Sequence, residues 1–253
     1  WVLILLISIL MVGIFFGVLL IFIYYQKLIK LYRFQQNFIN GFTHELKTPI
    51  ASLRLYLDTF KKYELPRTEQ VKYIDFMLQD TERLALNVSQ ILNLSKLEDK
   101  PKLGTVIETD LEKFTHDFLE KNPQYFSEIE IEFNRAAEPF TYPVDQELFE
   151  IVLMNILTNA IRYKGHRDPK LIIQGRRDRQ FFLLEFIDNG IGIEKHELKN
   201  IFKKLYQVGR TTKGSGLGLY ITQNIIKMHK AEISAKSEGL GHGTTIVLKF
   251  KAR

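Results

Sequence analysis

The chain has no cysteine among its 253 residues. That excludes a disulfide framework, a thiolate metal site and a cysteine nucleophile, and it suits a reducing compartment. No charged side chain occurs from Trp1 to Tyr25, and no acidic residue precedes Glu45. The rest is ordinary: 45% hydrophobic and 25% charged residues exclude wholesale disorder. The net charge is +6 and the pI about 9.2. Such a balance can mark a nucleic-acid partner, but here the basic residues alternate with acidic ones and form no aromatic-interleaved patch. No nucleic-acid partner is expected.

At 1.5 Å per residue Trp1–Tyr25 spans roughly 37 Å, longer than the ~30 Å hydrocarbon core of a bilayer. Its one strongly polar side chain ahead of the tyrosines is Ser8. A signal peptide carries basic residues before a shorter apolar region, whereas here Lys27, Lys30 and Arg33 come after it. A transmembrane helix in contact with membrane lipid is therefore expected over residues 1–25. The positive-inside bias puts everything downstream in the cytoplasm, with Tyr24 and Tyr25 at the inner interface. Gly13 and Gly17 form a G-x-x-x-G pair that lets two such helices approach closely. The chain opens on Trp1 and not on methionine, so further sequence upstream is expected.

Between Gln26 and about Phe60 only Gly41 and Pro49 interrupt a helix-forming sequence. Pro49 is expected to kink that helix, since it has no N–H to donate. Leu28, Leu31, Gln35, Phe38 and Phe42 mark a continuous helix leading out of the membrane. Leu65-Pro66 breaks the pattern, and Thr68–Glu98 gives a second long helix with a heptad stripe of Val71, Ile74, Leu78, Thr81, Ala85, Val88 and Leu92. Two amphipathic helices joined by a short turn make an antiparallel hairpin. Their stripes are too wide for one partner to cover, so two hairpins should pair as a dimeric four-helix bundle, making the protein a homodimer.

On the first helix, at about 100° per residue, Phe38, Phe42, Leu46, Pro49, Leu53, Leu57 and Phe60 share an apolar stripe. His44 lies roughly 180–200° from it and faces water. Glu45 is its neighbour, and Thr48 follows one turn on. An imidazole beside a carboxylate can act as a nucleophile or a base. Taken alone, the same pair is an ordinary solvated surface histidine.

From Leu103 the pattern turns to mixed α/β. Ile129–Phe133, Lys170–Gln174, Phe181–Ile187 and Thr244–Phe250 read as strands; Leu111–Glu120, Gln146–Arg162 and Gly218–His229 read as helices. Three clusters interrupt this scaffold. Asn155 and Asn159, four apart, project from one helical face, and neutral amide oxygens suit a hydrated Mg²⁺ already bound to phosphates. Asp188-Asn189-Gly190-Ile191-Gly192 follows a strand, where a carboxylate can accept from an exocyclic amine and glycines let a flat ring approach. Gly214-Ser215-Gly216-Leu217-Gly218 opens a helix, where glycine amides cradle anions. It is not a Walker motif, and it does not follow a strand as a dinucleotide fingerprint does. Arg210 and Lys213, just before it, can meet phosphates as part of a mobile lid.

Together these elements closely resemble the sensor histidine kinases of bacterial two-component systems. The phospho-acceptor box is His44-Glu45-Leu46-Lys47-Thr48-Pro49, and the asparagine box runs from Asn155 to Tyr163. The glycine boxes are Asp188-x-Gly190-x-Gly192 and Gly214-x-Gly216-x-Gly218, with the phenylalanine box Ile201–Tyr206 between them. The resemblance implies a multidomain chain: a transmembrane helix (1–25), a juxtamembrane helix with a dimerisation and histidine-phosphotransfer domain (26–100), and a catalytic α/β sandwich that binds ATP (101–253). It also implies residency in the bacterial cytoplasmic membrane, with the catalytic part inside.

By that resemblance Asn159 coordinates Mg²⁺, Asn155 supports the same site and Asp188 holds the adenine amino group. Arg162, Tyr163 and Lys164 lie near the nucleotide, and Gly190, Gly192, Gly214, Gly216, Leu217 and Gly218 shape the pocket and lid. His44 attacks the γ-phosphoryl group, Glu45 holds or deprotonates the other ring nitrogen, and the phosphoryl group passes to an aspartate of a response-regulator receiver domain. Glu45-x-x-Thr48 looks like the family's phosphatase motif. Lys203-Lys204-Leu205 departs from the family, which more often has an acidic residue and a second aromatic there. Two other readings stay open: an ATPase or chaperone of the same superfamily, which needs no helical His-Glu-x-x-Thr beside a membrane anchor, and a scaffold without kinase activity, against which the intact asparagine and glycine boxes argue.

Overall fold

The computed structural model describes residues 1–99, 102–165, 168–208 and 215–252. They form two compact units, Trp1–Thr81 and Glu82–Arg253.

The first unit is a helical hairpin. Helix α1 runs from Val2 to Lys62 and α2 from Arg67 to Asp99, the latter continuing into the second unit. The Val2–Lys30 segment of α1 is long and apolar enough to cross a membrane. The expected continuous helix out of that segment is present. Helix α1 also runs unbroken through Pro49, so the proline that was expected to kink it does not interrupt it. Pro49 lacks only one donor, and Ser52 Oγ donates to the Thr48 carbonyl at 3.3 Å in the same turn. The turn is fixed by Tyr63 N–H, which donates to Thr59 O at 3.0 Å, and by Gln70 Nε2, which donates to Leu65 O at 2.8 Å.

The two helices do not meet through all the residues that the apolar periodicity singles out. Tyr56 packs on Tyr73 and Phe76 with ring centroids 5.6 and 5.9 Å apart, and Phe60 meets Tyr73 edge-on at 6.1 Å. Such aromatic pairs contribute about 0.5–1.5 kcal/mol each beyond the area they bury. Leu57 is 60% exposed, and the α2 stripe of Val71, Ile74, Leu78, Val88 and Leu92 lies open. Within one chain, aromatic rings supply the hairpin seam and the heptad stripe stays uncovered.

In the second unit β1 (Val106–Asp110) pairs antiparallel with β3 (Thr141–Asp145). Helices α3 (Leu111–Lys121) and α4 (Pro123–Phe126) follow β1, and β2 (Glu130–Asn134) precedes β3. Helix α5 (Gln146–Arg162) leads to β4 (Lys170–Asp178) and β5 (Phe181–Asp188); α6 (Gly218–Met228), β6 (Glu232–Lys236) and β7 (Thr244–Lys251) complete the chain. The five-stranded sheet has the order β2-β4-β5-β7-β6, with only β2 and β4 parallel. Strand alternation sends Leu171, Ile173, Phe182, Leu184, Phe186, Leu248 and Phe250 into the core, where α5 contributes Phe149, Val152, Leu153 and Leu157. Phe140 stacks on Phe182 at 4.3 Å.

Helix α5 is held at its start by Asp145, whose carboxylate accepts from Leu148 N–H at 3.1 Å and Gly104 N–H at 2.7 Å. A buried histidine joins that cap to α6. His229 Nε2 accepts from Asp145 N–H at 2.9 Å, while Nδ1 lies 2.8 Å from Ile225 O and donates to it. The accepting role requires a neutral ring. Burial accordingly pushes the His229 pKa below its ordinary 6.5, against the raising effects of the Ile225 carbonyl and of Asp145. The folded state then binds fewer protons than the unfolded one just below that value, so this residue's contribution to stability is lost as pH falls. Unfolding by denaturant at pH 7 and about 5.5 should show a smaller pH dependence in His229→Gln than in the parent chain. Equal dependences would contradict this.

Candidate functional site

Strand β5 ends at Asp188, and the chain must then turn away from the sheet through Asn189, Gly190, Ile191 and Gly192. Asp188 Oδ1 accepts from two backbone amides, Gly190 N–H at 2.9 Å and Thr244 N–H at 3.0 Å. Among the described residues its other oxygen, Oδ2, makes no hydrogen bond. Burial raises the Asp188 carboxyl above its usual range, and the two amide donors pull it part-way back. A half-buried carboxylate aimed into a cavity is a specific acceptor for an N–H donor.

The turn is tied on both sides. Ile191 N–H donates to Tyr163 O at 3.0 Å, which joins it to the end of α5, and Asn189 bridges Lys170 N–H and Asp168 O, both at 2.8 Å. Gly192 has φ of +72°, and a Cβ there would collide with the Gly239 carbonyl. Only glycine fits that position.

Helix α5 supplies the facing wall. Asn155, Thr158, Asn159, Arg162 and Tyr163 line the same cavity as Asp188, with Gly192, Gly216 and Gly218. Leu171, Phe186 and Ile246 give it an apolar lining. Asn155 is buried, and its Nδ2 has no hydrogen-bond partner among the described residues. An unpaired buried donor costs about 1–3 kcal/mol, and this one belongs to a residue that lines the cavity. Helix α6 approaches α5 closely there: a Cβ on Gly218 would lie 3.2 Å from Asn155 Oδ1.

The chain between the two glycine boxes is pinned at its ends. Leu205 has φ of +61°, and its N–H donates to Gly216 O at 2.9 Å. Tyr206, which lines the cavity, donates its hydroxyl to Glu197, and that bond, followed by one from Asn200, holds the Glu197 carboxyl below its ordinary range. Lys204 lies over the Tyr220 ring at 6.0 Å. A lysine and a leucine thus occupy this segment without disrupting its packing against α6.

Residues 144–253 match the model of the histidine kinase-, DNA gyrase B- and HSP90-like ATPase family, and residues 34–100 match the His Kinase A (phospho-acceptor) domain. The two matches together span more than half of the chain. The chain belongs to the sensor histidine kinases of two-component systems. Among curated relatives, sensor protein RprX of Bacteroides fragilis is 30% identical over 230 residues, which are 87% of this chain and 44% of RprX. Sensor histidine kinase WalK of Bacillus subtilis is 28% identical over 228 residues, 86% of this chain and 37% of WalK. The chain therefore spans less than half the length of these two relatives. The fold matches that of the Acinetobacter baumannii histidine kinase AdeS with a TM-score of 0.61 at 23% identity, covering 83% of this chain and 98% of that one.

In this sensor histidine kinase the expected nucleotide residues fall into three groups. Asn155, Asn159, Arg162, Tyr163, Asp188, Gly192, Gly216 and Gly218 meet at one cavity. Gly190 and Leu217 are buried in the backbone segments that frame it, whereas Lys164 is exposed and pairs with Glu128 and is not among the lining residues. Arg210, Lys213 and Gly214 lie outside the described residues. His44, Glu45 and Thr48 lie on α1, in the other compact unit, and the side chains of His44 and Glu45 are outside the described part. The sequence reading missed Thr244, Tyr206 and Leu240 in the cavity wall. For Thr244 and Leu240 a signal existed in the alternation Gly239-x-Gly241-x-Gly243, which is glycine-rich like the other two boxes.

Proposed function

We propose that this chain is the membrane-anchored kinase part of a bacterial sensor, which phosphorylates His44 from Mg-ATP and passes the phosphoryl group to an aspartate of a response-regulator receiver domain. The observation that carries the reading is the half-buried Asp188 carboxylate. It is braced by two backbone amides and opens into a cavity shared with the Asn155–Asn159 face, in a chain whose helix α1 bears His44-Glu45-x-x-Thr48.

Asp188 accepts from the adenine amino group, and the apolar lining takes the ring. Asn159 and Asn155 would hold Mg²⁺ and the phosphates attached to it: the orphaned Asn155 amide is a donor for an anionic oxygen, and the Asn159 oxygen suits a hydrated hard cation. When bound, Mg²⁺ supplies positive charge against the phosphate oxygens. His44 Nε2 forms the new N–P bond as the bond from the γ-phosphorus to the bridging oxygen breaks, leaving ADP. Glu45 takes the proton from the other ring nitrogen or holds it. In a separate phosphatase reaction, Thr48 orients a water against the regulator's acyl phosphate, which breaks to free aspartate and inorganic phosphate. Arg210 and Lys213 meet the phosphates as part of a lid that Gly214 helps to shape.

The open stripe of Val71, Ile74, Leu78, Val88 and Leu92 supports a homodimer, since a second hairpin would cover it. The segment Val2–Lys30 supports anchoring in the lipid of the cytoplasmic membrane, with residues 26–100 as dimerisation and phosphotransfer domain and 101–253 as catalytic domain. The unbroken α1 supports passage of signal as rotation or tilt of one helix. The test is incubation of the full chain in lipid nanodiscs with γ-labelled ATP and Mg²⁺. Protein-bound label that survives base and is lost in acid is the expected result; label stable in acid, or none at all, would overturn the reading.

A further inference from the structure

The loop from Ser237 to Gly243 is fastened to the turn that carries Asp188. Gly241 N–H donates to Ile191 O at 2.7 Å and Gly243 N–H to Gly190 O at 3.1 Å. Ser237 Oγ accepts from Ile193 N–H at 3.0 Å and donates to Gly243 O at 2.6 Å. The loop reaches this position only through left-handed backbone: Gly243 has φ of +69°, and a Cβ on it would collide with the Asp188 carbonyl. So tight a fastening leaves little freedom to the residue just before Gly241. That residue is Leu240, 61% exposed yet part of the cavity wall, beside Ile191, 42% exposed and also in the wall. Two large apolar side chains held in water at the rim of one cavity, on backbones bonded to each other, form a preassembled apolar lip.

We infer that Leu240, with Ile191, is a base-contacting residue: it closes over the solvent-facing side of the purine whose amino group Asp188 accepts. The inference rests on the reading of this cavity as an ATP site, and it adds a determinant of affinity that is independent of the phosphates. The contact removes apolar surface of both leucine and base from water. An area of a few tens of Å² is worth roughly a fivefold to tenfold change in affinity.

The test is titration of the full chain, in nanodiscs, with ATP and with adenosine. Leu240→Ser should weaken both ligands about equally, by roughly fivefold to tenfold, and Leu240→Met should restore both to near the parent values. A parent chain that binds neither ligand would refute the ATP reading itself. A parent chain that binds both while Leu240→Ser changes neither overturns the lip alone. So does a loss seen with ATP but not adenosine, which would place the effect at the phosphates. Thermal unfolding of Leu240→Ser in the absence of ligand should match the parent, because the side chain is exposed; a large drop would make Leu240 a structural residue and contradict the inference.

Discussion

Asp188→Asn lowers the affinity of the full chain for ATP by roughly 10- to 100-fold while the fold persists. The substitution keeps size and shape, and the asparagine oxygen can still accept from Gly190 and Thr244, so the turn after β5 should hold. What is lost is the charge of the acceptor that faces the cavity, and hydrogen bonds to an ionised group are about twice as strong as neutral ones. The amide also puts an NH₂ where a donor on the base would point, adding repulsion. GTP should change much less than ATP, because guanine presents an oxygen where adenine presents the amino group. Calorimetric titration of both nucleotides checks this. Equal, small effects on ATP and GTP would remove Asp188 from the base site.

Asn159→Ala separates binding from chemistry. The residue lines the cavity on the same face of α5 as Asn155, one turn apart. With Mg²⁺ held by few protein ligands, loss of one oxygen donor should cost roughly 100- to 1000-fold in the rate of label transfer to protein. Binding of ATP in the presence of a chelator should stay within about threefold of the parent, since the contacts to the base are untouched. Single-turnover labelling against Mg²⁺ concentration, beside titration without Mg²⁺, gives both numbers. A variant that loses chelator-insensitive binding as severely as transfer would make Asn159 a structural residue of α5 and not a metal ligand.

Much of the scaffold is legible in residue order because local and global preferences agree there. Helix α5 has Asp145 as its cap, an apolar face and Arg162 in its last turn, and it begins and ends where the pattern says. Strand β5 is a near-continuous run of large apolar residues bounded by Gln180 and Asn189, and it too is found where expected. Strands β1, β3 and β6 are not legible. Each is five residues long; β6, Glu-Ile-Ser-Ala-Lys, is half polar, and β3 contains Pro143. A proline demotes a strand in any reading of sequence, yet β3 pairs only with β1, and an edge has room for a residue without an N–H.

The helical hairpin shows the opposite failure. The heptad period correctly finds two amphipathic helices and a stripe on α2 that stays open, but of the rings that form the seam within one chain the expected stripes contained only Phe60. Tyr56, Phe60, Tyr73 and Phe76 make that contact through tilted and edge-on rings. Periodicity gives the angular position of a face; it does not say which neighbour covers it. The site divides the same way. Asp188, Asn155 and Asn159 are visible because they stand in the asparagine and glycine boxes of the resemblance; alone, they read as a turn and as an exposed or capping amide pair. Thr244 acts through its backbone N–H, which no side-chain pattern reveals. Leu240 is brought to the cavity by a loop whose fastening is wholly three-dimensional.

The central claim, that nucleotide held at Asp188 phosphorylates the imidazole on α1, has one direct measurement. The full chain is labelled with Mg-ATP, digested under basic conditions, and the phosphoryl group located by mass spectrometry. The account predicts a single phosphorylated residue, His44, with no label in His44→Gln even though that variant binds ATP as tightly as the parent. A phosphoryl group on any other residue, or a His44→Gln chain that labels normally, would contradict it.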